Sequence, residues 1–137
     1  MFSNALSPVQ AATVLECLRI ATSAEGERLR ADVMRNAVEL RALLQEEGMR
    51  CLGSPSPIVP LWLGSESATR VAGMLLAREQ LFVNPMEFPG VPLGAARLRL
   101  QLMARHTPAQ IRRAARQLAS AARRALEAPP PALRPSE

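Results

Sequence analysis

Lysine is absent from this sequence, and all 17 of its basic residues are arginine. A protein forms a Schiff base with a carbonyl cofactor through a lysine amine, so this chain by itself cannot carry out lysine-dependent covalent chemistry. Tyrosine is also absent, and aromatic residues make up only 3% of the 137 residues. Without aromatic rings on which bases could stack, the formal net charge of +5 does not indicate nucleic-acid binding, and we expect no nucleic-acid partner.

Residues that commonly carry chemistry are also scarce. The single histidine, His106, rules out a histidine cluster for a metal, and its place just before a helix favours a bond to local backbone over a general-base role. Cys17 and Cys51 have neither metal-ligand spacing nor a redox motif, so we expect buried, reduced thiols and a cytoplasmic protein. No apolar run is long enough to span a bilayer, and the first residues do not resemble a secretory signal.

Apolar periodicity and capping residues predict four helices. Ser7 with Gln10, and Thr107 with Gln110, have the spacing of a capping box. Gly48 is a natural stop for the second helix, and Ser67 is the expected cap of the third. The predicted helices lie near residues 8–22, 25–47 and 68–80, with a last one from 108 to the prolines at 129–131.

Three short strands are predicted between these helices, at residues 58–63, 81–83 and 97–102. Pro60 indicates an edge strand or a bulge, and Trp62 is expected in the core. The proline-rich stretch that follows residue 83 cannot be helical. The chain therefore predicts an α/β (α+β) two-layer sandwich, with helices against a few-stranded, mainly antiparallel sheet.

The third predicted strand alternates strictly between polar and apolar residues. Arg97, Arg99 and Gln101 should share one face of it. An arginine guanidinium can donate two parallel hydrogen bonds to a carboxylate, so this face could bind an acidic ligand. From spacing alone, a solvent-facing strand with extended arginines is the favoured interpretation.

Three segments resemble the C-terminal signature of the α-oxoamine synthases, namely residues 83–92 (VNPMEFPGVP), 96–100 (ARLRL) and 104–107 (ARHT). Residues 2–8 (FSNALSP) resemble the stretch that follows the cofactor lysine in that family, and residues 54–60 (SPSPIVP) resemble the first strand of its C-terminal domain. The motifs are collinear over residues 2–126. Ser7 stands where the family usually has proline, and Arg105 replaces a small residue.

The resemblance implies the small C-terminal domain of a fold-type I transferase that uses pyridoxal 5'-phosphate and forms homodimers. Such enzymes condense an amino acid with an acyl-CoA and release carbon dioxide. By motif position, Arg99 matches the arginine that binds the substrate carboxylate, whereas Arg97 matches a structural position. Ser3 and Asn4 match residues near the cofactor phosphate that reach towards the neighbouring subunit. The family's Schiff-base lysine, the aspartate at the pyridine nitrogen and the ring-stacking histidine have no equivalents here.

We therefore expect residues 1–24 to link to a missing cofactor-binding domain, residues 25–128 to form the small domain, and residues 129–137 to be a disordered tail. The first hypothesis is a part of a synthase, inactive alone and without catalytic residues of its own. It would bind the cofactor only with that domain or with a full-length synthase chain. The alternatives are a stand-alone interaction module and, least favoured, a basic module for nucleic acid. The sequence does not specify which amino acid or acyl-CoA the parent enzyme uses.

Overall fold

The computed structural model describes residues 7–127. Four helices and three strands follow one another along this part of the chain in the predicted order. The elements are α1 (Pro8–Ala21), α2 (Ala24–Glu46), β1 (Ile58–Gly64), α3 (Glu66–Arg78), β2 (Asn84–Met86), β3 (Ala96–Gln101) and α4 (Pro108–Glu127).

Both predicted capping boxes are confirmed. At the start of α1 the Ser7 hydroxyl accepts the Gln10 N–H at 3.2 Å, and the Ser7 N–H donates to Gln10 Oε1 at 3.1 Å. Thr107 and Gln110 make the same reciprocal pair before α4, at 3.3 and 2.8 Å. Each box satisfies amides that a helix leaves unpaired at its first turn. The predicted stop of α2 is also confirmed, since Gly48 follows it with φ of 75°.

The three strands form one antiparallel sheet with β3 in the centre, in the order β1-β3-β2. Pro60 lies opposite Arg99 on β1, which is an edge strand of this sheet. The pairing register shifts between Trp62 and Gly64. The prediction of an edge or a bulge around Pro60 is thus confirmed, because an edge strand tolerates a residue that has no N–H to donate.

The predicted strand at residues 81–83 is wrong, and β2 begins at Asn84 instead. Gln80 adopts φ of 60°, and the Leu81 N–H donates to the Leu76 carbonyl at 2.9 Å. Leu81 therefore completes the C-terminal cap of α3 and cannot start a strand there. Pro85, in the proline-rich stretch that cannot be helical, fits β2 because this strand is the other edge of the sheet.

The predicted cap of α3 is also wrong by two residues. Ser65 accepts the Ala68 N–H at 3.3 Å and is the N-cap. The Ser67 hydroxyl lies 2.9 Å from the Ser65 hydroxyl within the first turn. Ser65 and Ser67 have the same capping chemistry and lie two residues apart, so the sequence does not distinguish them. The path of the chain after Gly64 determines which serine is the N-cap.

The core lies between one face of the sheet and the helices α2, α3 and α4. Leu98 and Leu100 of β3 pack there with apolar side chains from β1 and the three helices. The largest fully buried side chains are Leu44, Leu61, Leu76, Leu98, Ile111, Leu118, Val59 and Thr69. This arrangement confirms the predicted class, helices against a small antiparallel sheet.

Helix α1 stands apart from this core, since it has no buried residue. It meets the start of α2 at a tight corner, where a Cβ on Gly26 would lie 2.3 Å from the Ile20 carbonyl oxygen. Only glycine fits such an approach of two backbones. Cys17 on α1 is exposed, so the burial predicted for it is wrong. Cys51 is half-buried, and burial raises the pKa of its thiol, although nearby Arg41 opposes the shift.

Between Ser7 and Glu127, no helix is long and apolar enough to cross a membrane. Ser3, Asn4 and the tail 129–137 lie outside the described residues. The proposed roles of Ser3 and Asn4 and the disorder expected for the tail therefore stay predictions, as do the domain boundaries.

Candidate functional site

The central strand β3 divides its side chains between two environments. Ala96, Leu98 and Leu100 are buried, whereas Arg97 and Arg99 are half-exposed and Gln101 is exposed. Cross-strand partners lie on the same face of a sheet, so the pairing register defines the whole surface. We call this surface the open face, and it consists of Ile58, Pro60, Trp62, Asn84, Met86, Arg97, Arg99 and Gln101.

Arg99 occupies the middle of the open face. Pro60 is its partner on β1, and Asn84 is its partner on β2. Among residues 7–127, Arg99 takes part in none of the five ion pairs, and no hydrogen bond holds its guanidinium. The open face carries no carboxylate in its defined set, so its charge is entirely positive. A half-buried guanidinium without a protein carboxylate is suited to an external anion.

Arg97 differs from Arg99 because its side chain is held locally. Its Nε donates to the Ala95 carbonyl at 3.0 Å, and its cross-strand partners are Trp62 and Met86. This contact agrees with the structural role predicted for Arg97. Two arginines only two residues apart are therefore engaged differently.

Trp62 lies on the open face and outside the buried core, contrary to the sequence-based expectation. It is half-buried, and the Arg50 guanidinium lies 5.0 Å from its ring centroid. That distance is within the range of a cation–π contact. Strand alternation explains the placement, because Leu61 and Leu63 occupy the core side and leave the open side for Trp62.

The segment that joins β2 to β3 is fastened to α3 at two points. Arg70 pairs with Glu87 at 2.5 Å, and the Gly94 N–H donates to Glu66 Oε1 at 2.9 Å. The hydrogen bond from Gly94 is the main reason that the pKa of the Glu66 carboxyl lies below its usual value. These contacts hold the chain against α3 on both sides of the proline-rich turn, between β2 with Asn84 and β3 with Arg99.

His106 has the structural role that the sequence predicted. Its Nδ1 accepts the backbone N–H of Met103 at 3.2 Å, and the backbone N–H of His106 donates to the Met103 carbonyl. Asn36 of α2 donates to the carbonyls of Met103 and His106 at 3.0 and 3.1 Å. The histidine therefore belongs to the turn between β3 and α4, and it offers no base at Arg99.

The residues present do not fit a complete site for a carbonyl cofactor. The whole chain has no lysine for a Schiff base. Within the described ranges there is also no group of three or more His, Cys, Asp or Glu side chains that could hold a metal ion. What the open face offers is a half-exposed arginine on a three-stranded sheet, with no protein carboxylate paired to it among residues 7–127.

Sequence reasoning identified Arg99 but missed Pro60 and Asn84 as its neighbours. No local signal marks them, because they are far from Arg99 in sequence and meet it only through strand pairing. Assigning β2 to residues 81–83 would have put a different residue opposite Arg99. Register is set by tertiary packing and turn geometry, and a slip of one residue reverses every side chain.

Comparison with known proteins decides the family. The family model of aminotransferase class I and II matches residues 1–118. The chain belongs to this family. Its similar curated proteins are α-oxoamine synthases, and the chain belongs to that group within the family. The resemblance drawn from the sequence motifs is thereby confirmed.

Two curated relatives illustrate the similarity. The 8-amino-7-oxononanoate synthase of Citrifermentans bemidjiense is 33% identical over 115 residues, which cover 84% of this chain and 30% of that protein. The erythroid-specific, mitochondrial 5-aminolevulinate synthase of Opsanus tau is 35% identical over 112 residues, covering 81% of this chain and 19% of that protein. The chain thus spans less than a third of the length of these relatives.

Solved structures agree with the family assignment. A serine palmitoyltransferase described with a PLP internal aldimine superposes with a TM-score of 0.83 at 28% identity, over 91% of this chain and 31% of that one. The Sphingomonas wittichii serine palmitoyltransferase gives a TM-score of 0.81 at 25% identity, over 94% of this chain and 32% of that one. These matches show that the fold is that of part of a fold-type I pyridoxal-phosphate enzyme.

Proposed function

We propose that this chain supplies the substrate-carboxylate site of a pyridoxal-phosphate-dependent α-oxoamine synthase, with Arg99 as the residue that binds the amino acid. The observation that carries the proposal is the state of Arg99. It lies half-exposed at the centre of the open face, and no carboxylate pairs with it among residues 7–127. Its motif position and the family membership support the same role.

In the proposed reaction this chain binds and orients, and it does not react covalently. The guanidinium of Arg99 would take both oxygens of the amino acid carboxylate and fix the substrate in one orientation. Bound pyridoxal phosphate supplies an electron sink for the amino acid carbanion. Because the chain has no lysine, a partner domain or partner chain must hold that cofactor. We propose that Ser3 and Asn4 bind near the phosphate of this cofactor in the assembled enzyme.

The surface of α1 supports the need for a partner. Val9, Leu15 and Leu18 are 76%, 63% and 57% exposed, and α1 has no buried residue. Apolar side chains exposed in this way on one element mark a contact surface. We propose that the cofactor-binding partner covers α1, which links the two parts, and that the assembled enzyme is a homodimer acting on an amino acid and an acyl-CoA.

The test is reconstitution with a lysine-bearing partner. The full chain is co-produced with the part of the Citrifermentans bemidjiense 8-amino-7-oxononanoate synthase that lies outside the matched region. We expect the visible absorbance of bound cofactor only when both pieces are present. Arg99→Ala should leave this absorbance intact and raise the KM for the amino acid about 100-fold, the effect of removing one partner of a charge pair.

Arg97→Ala is the matched control, since it removes a neighbouring arginine of the same face and should change the KM by less than about three-fold. An unchanged KM in Arg99→Ala would contradict the assigned role. If the pieces associate but no cofactor binds, the stand-alone interaction module becomes the better description of the chain.

A further inference from the structure

Asn84 stands beside Arg99 in a position that the sequence did not reveal. It belongs to edge strand β2 and is paired in register with Arg99 of β3. Cross-strand neighbours on one face have Cβ atoms about 4.5–5.5 Å apart. The carboxamide of Asn84 and the guanidinium of Arg99 can therefore reach one small ligand between them.

Both side chains have hydrogen-bond donors that are not used within residues 7–127. Asn84 is exposed, and among residues 7–127 neither its amide nor the Arg99 guanidinium is engaged in a hydrogen bond or an ion pair. A carboxylate has about four lone-pair positions, and an arginine fork occupies two of them. A neutral amide at the side can donate to a third position without adding charge.

The other neighbour of Arg99 cannot play this part. Pro60 lies opposite Arg99 on β1, and its ring has no hydrogen-bonding group. Along β3, Arg97 is turned to the Ala95 carbonyl. Of the two cross-strand partners of Arg99, only Asn84 can therefore donate a second hydrogen bond to an anion held by Arg99.

We propose that Asn84 is a second carboxylate-binding residue, which acts with Arg99 as a two-residue clamp for a small carboxylate. The inference rests on the proposed function and deepens it. The clamp has one positive charge and one neutral amide, so its charge matches that of a singly charged carboxylate. Asn84 is exposed on the edge strand β2, so the rest of the ligand can extend into solvent there. The proposal gives Asn84, the first residue of the proline-rich segment, a direct part in substrate binding.

The test uses the full chain alone and needs no cofactor. Sodium acetate is titrated into ¹⁵N-labelled protein, with sodium chloride at matched ionic strength as the reference for general screening. We expect the Arg99 Nε–H and the Asn84 side-chain amide signals to shift together and to give one Kd. Asn84→Ala should weaken acetate binding at Arg99 about three- to ten-fold, as for loss of one exposed hydrogen bond to a charged group.

Gln101→Ala is the matched control, because Gln101 is an amide of the same face that is not paired with Arg99. It should leave the Kd unchanged, and circular dichroism should show all variants folded. Asn84→Asp should weaken binding further than Asn84→Ala by charge repulsion. Inorganic phosphate forms a second arm, and binding tighter than acetate would overturn the assignment to carboxylate.

The outcomes separate this inference from the function on which it rests. If acetate shifts Arg99 but Asn84→Ala has no effect, the two-residue clamp is wrong and the role of Arg99 stands. If acetate produces no shift at Arg99 beyond that of chloride, both proposals fail for this chain.

Discussion

At the scale of single residues, position matters more than type. Arg97 and Arg99 are chemically identical and share one face, yet one is held by a backbone carbonyl and the other has no partner among the described residues. Asn36 and Asn84 differ in the same way. Asn36 is 4% exposed and bonded to two carbonyls, whereas Asn84 is exposed.

Asn36 gives a prediction at this scale. Asn36→Ala should lower the free energy of unfolding by about 1–3 kcal/mol, because it leaves the carbonyls of Met103 and His106 without their buried donor. Urea unfolding followed by circular dichroism measures the loss. Arg35→Ala, which removes an exposed ion pair with Asp32, is the control and should stay within about 0.5 kcal/mol. Equal effects of the two substitutions would contradict the structural role of Asn36.

At the scale of elements, caps and edges explain most of the boundaries. Helices α1 and α4 begin where their capping boxes lie. The end of α3 was harder to predict, because its left-handed residue is Gln80, and glycine is the usual signal for that conformation.

The cap of α4 can be tested directly. Thr107→Ala should destabilise the protein by about 1 kcal/mol, since the Gln110 N–H loses its hydroxyl acceptor at the first turn. Thermal or urea unfolding monitored by helix circular dichroism gives the value. Ser120→Ala, on the exposed side of the same helix, should not lower the free energy of unfolding, because alanine is the better helix former. A neutral Thr107→Ala variant would show that the box contributes no stability here.

At the scale of the whole molecule, apolar surface is distributed unevenly. The core between sheet and helices buries its apolar side chains, while α1 presents Leu15, Leu18 and other apolar side chains outwards. The relatives are more than three times the length of the matched region, in agreement with a partner surface on this helix.

We predict that the isolated chain associates through α1. Leu15→Glu combined with Leu18→Glu should abolish concentration-dependent association in analytical ultracentrifugation. The free energy of unfolding of the monomer should change by less than about 0.5 kcal/mol, because neither side chain is buried. Ala12→Glu adds charge to the same helix without removing a large apolar side chain, and it should reduce association less. A wild-type chain that is monomeric at all concentrations would contradict the prediction.

The sequence by itself determined the family, the four helices, the alternation of β3 and the choice of Arg99. These follow from local rules, namely apolar period, capping chemistry and motif order, which need no distant contact. Tertiary structure alone decided that Leu81 closes α3, that β2 starts at Asn84, and that Trp62 and Cys17 lie outside the core. It also decided that Asn84 and Pro60 flank Arg99. Strand register depends on pairing between residues far apart in the chain, so no local pattern in this sequence could have specified the neighbours of Arg99.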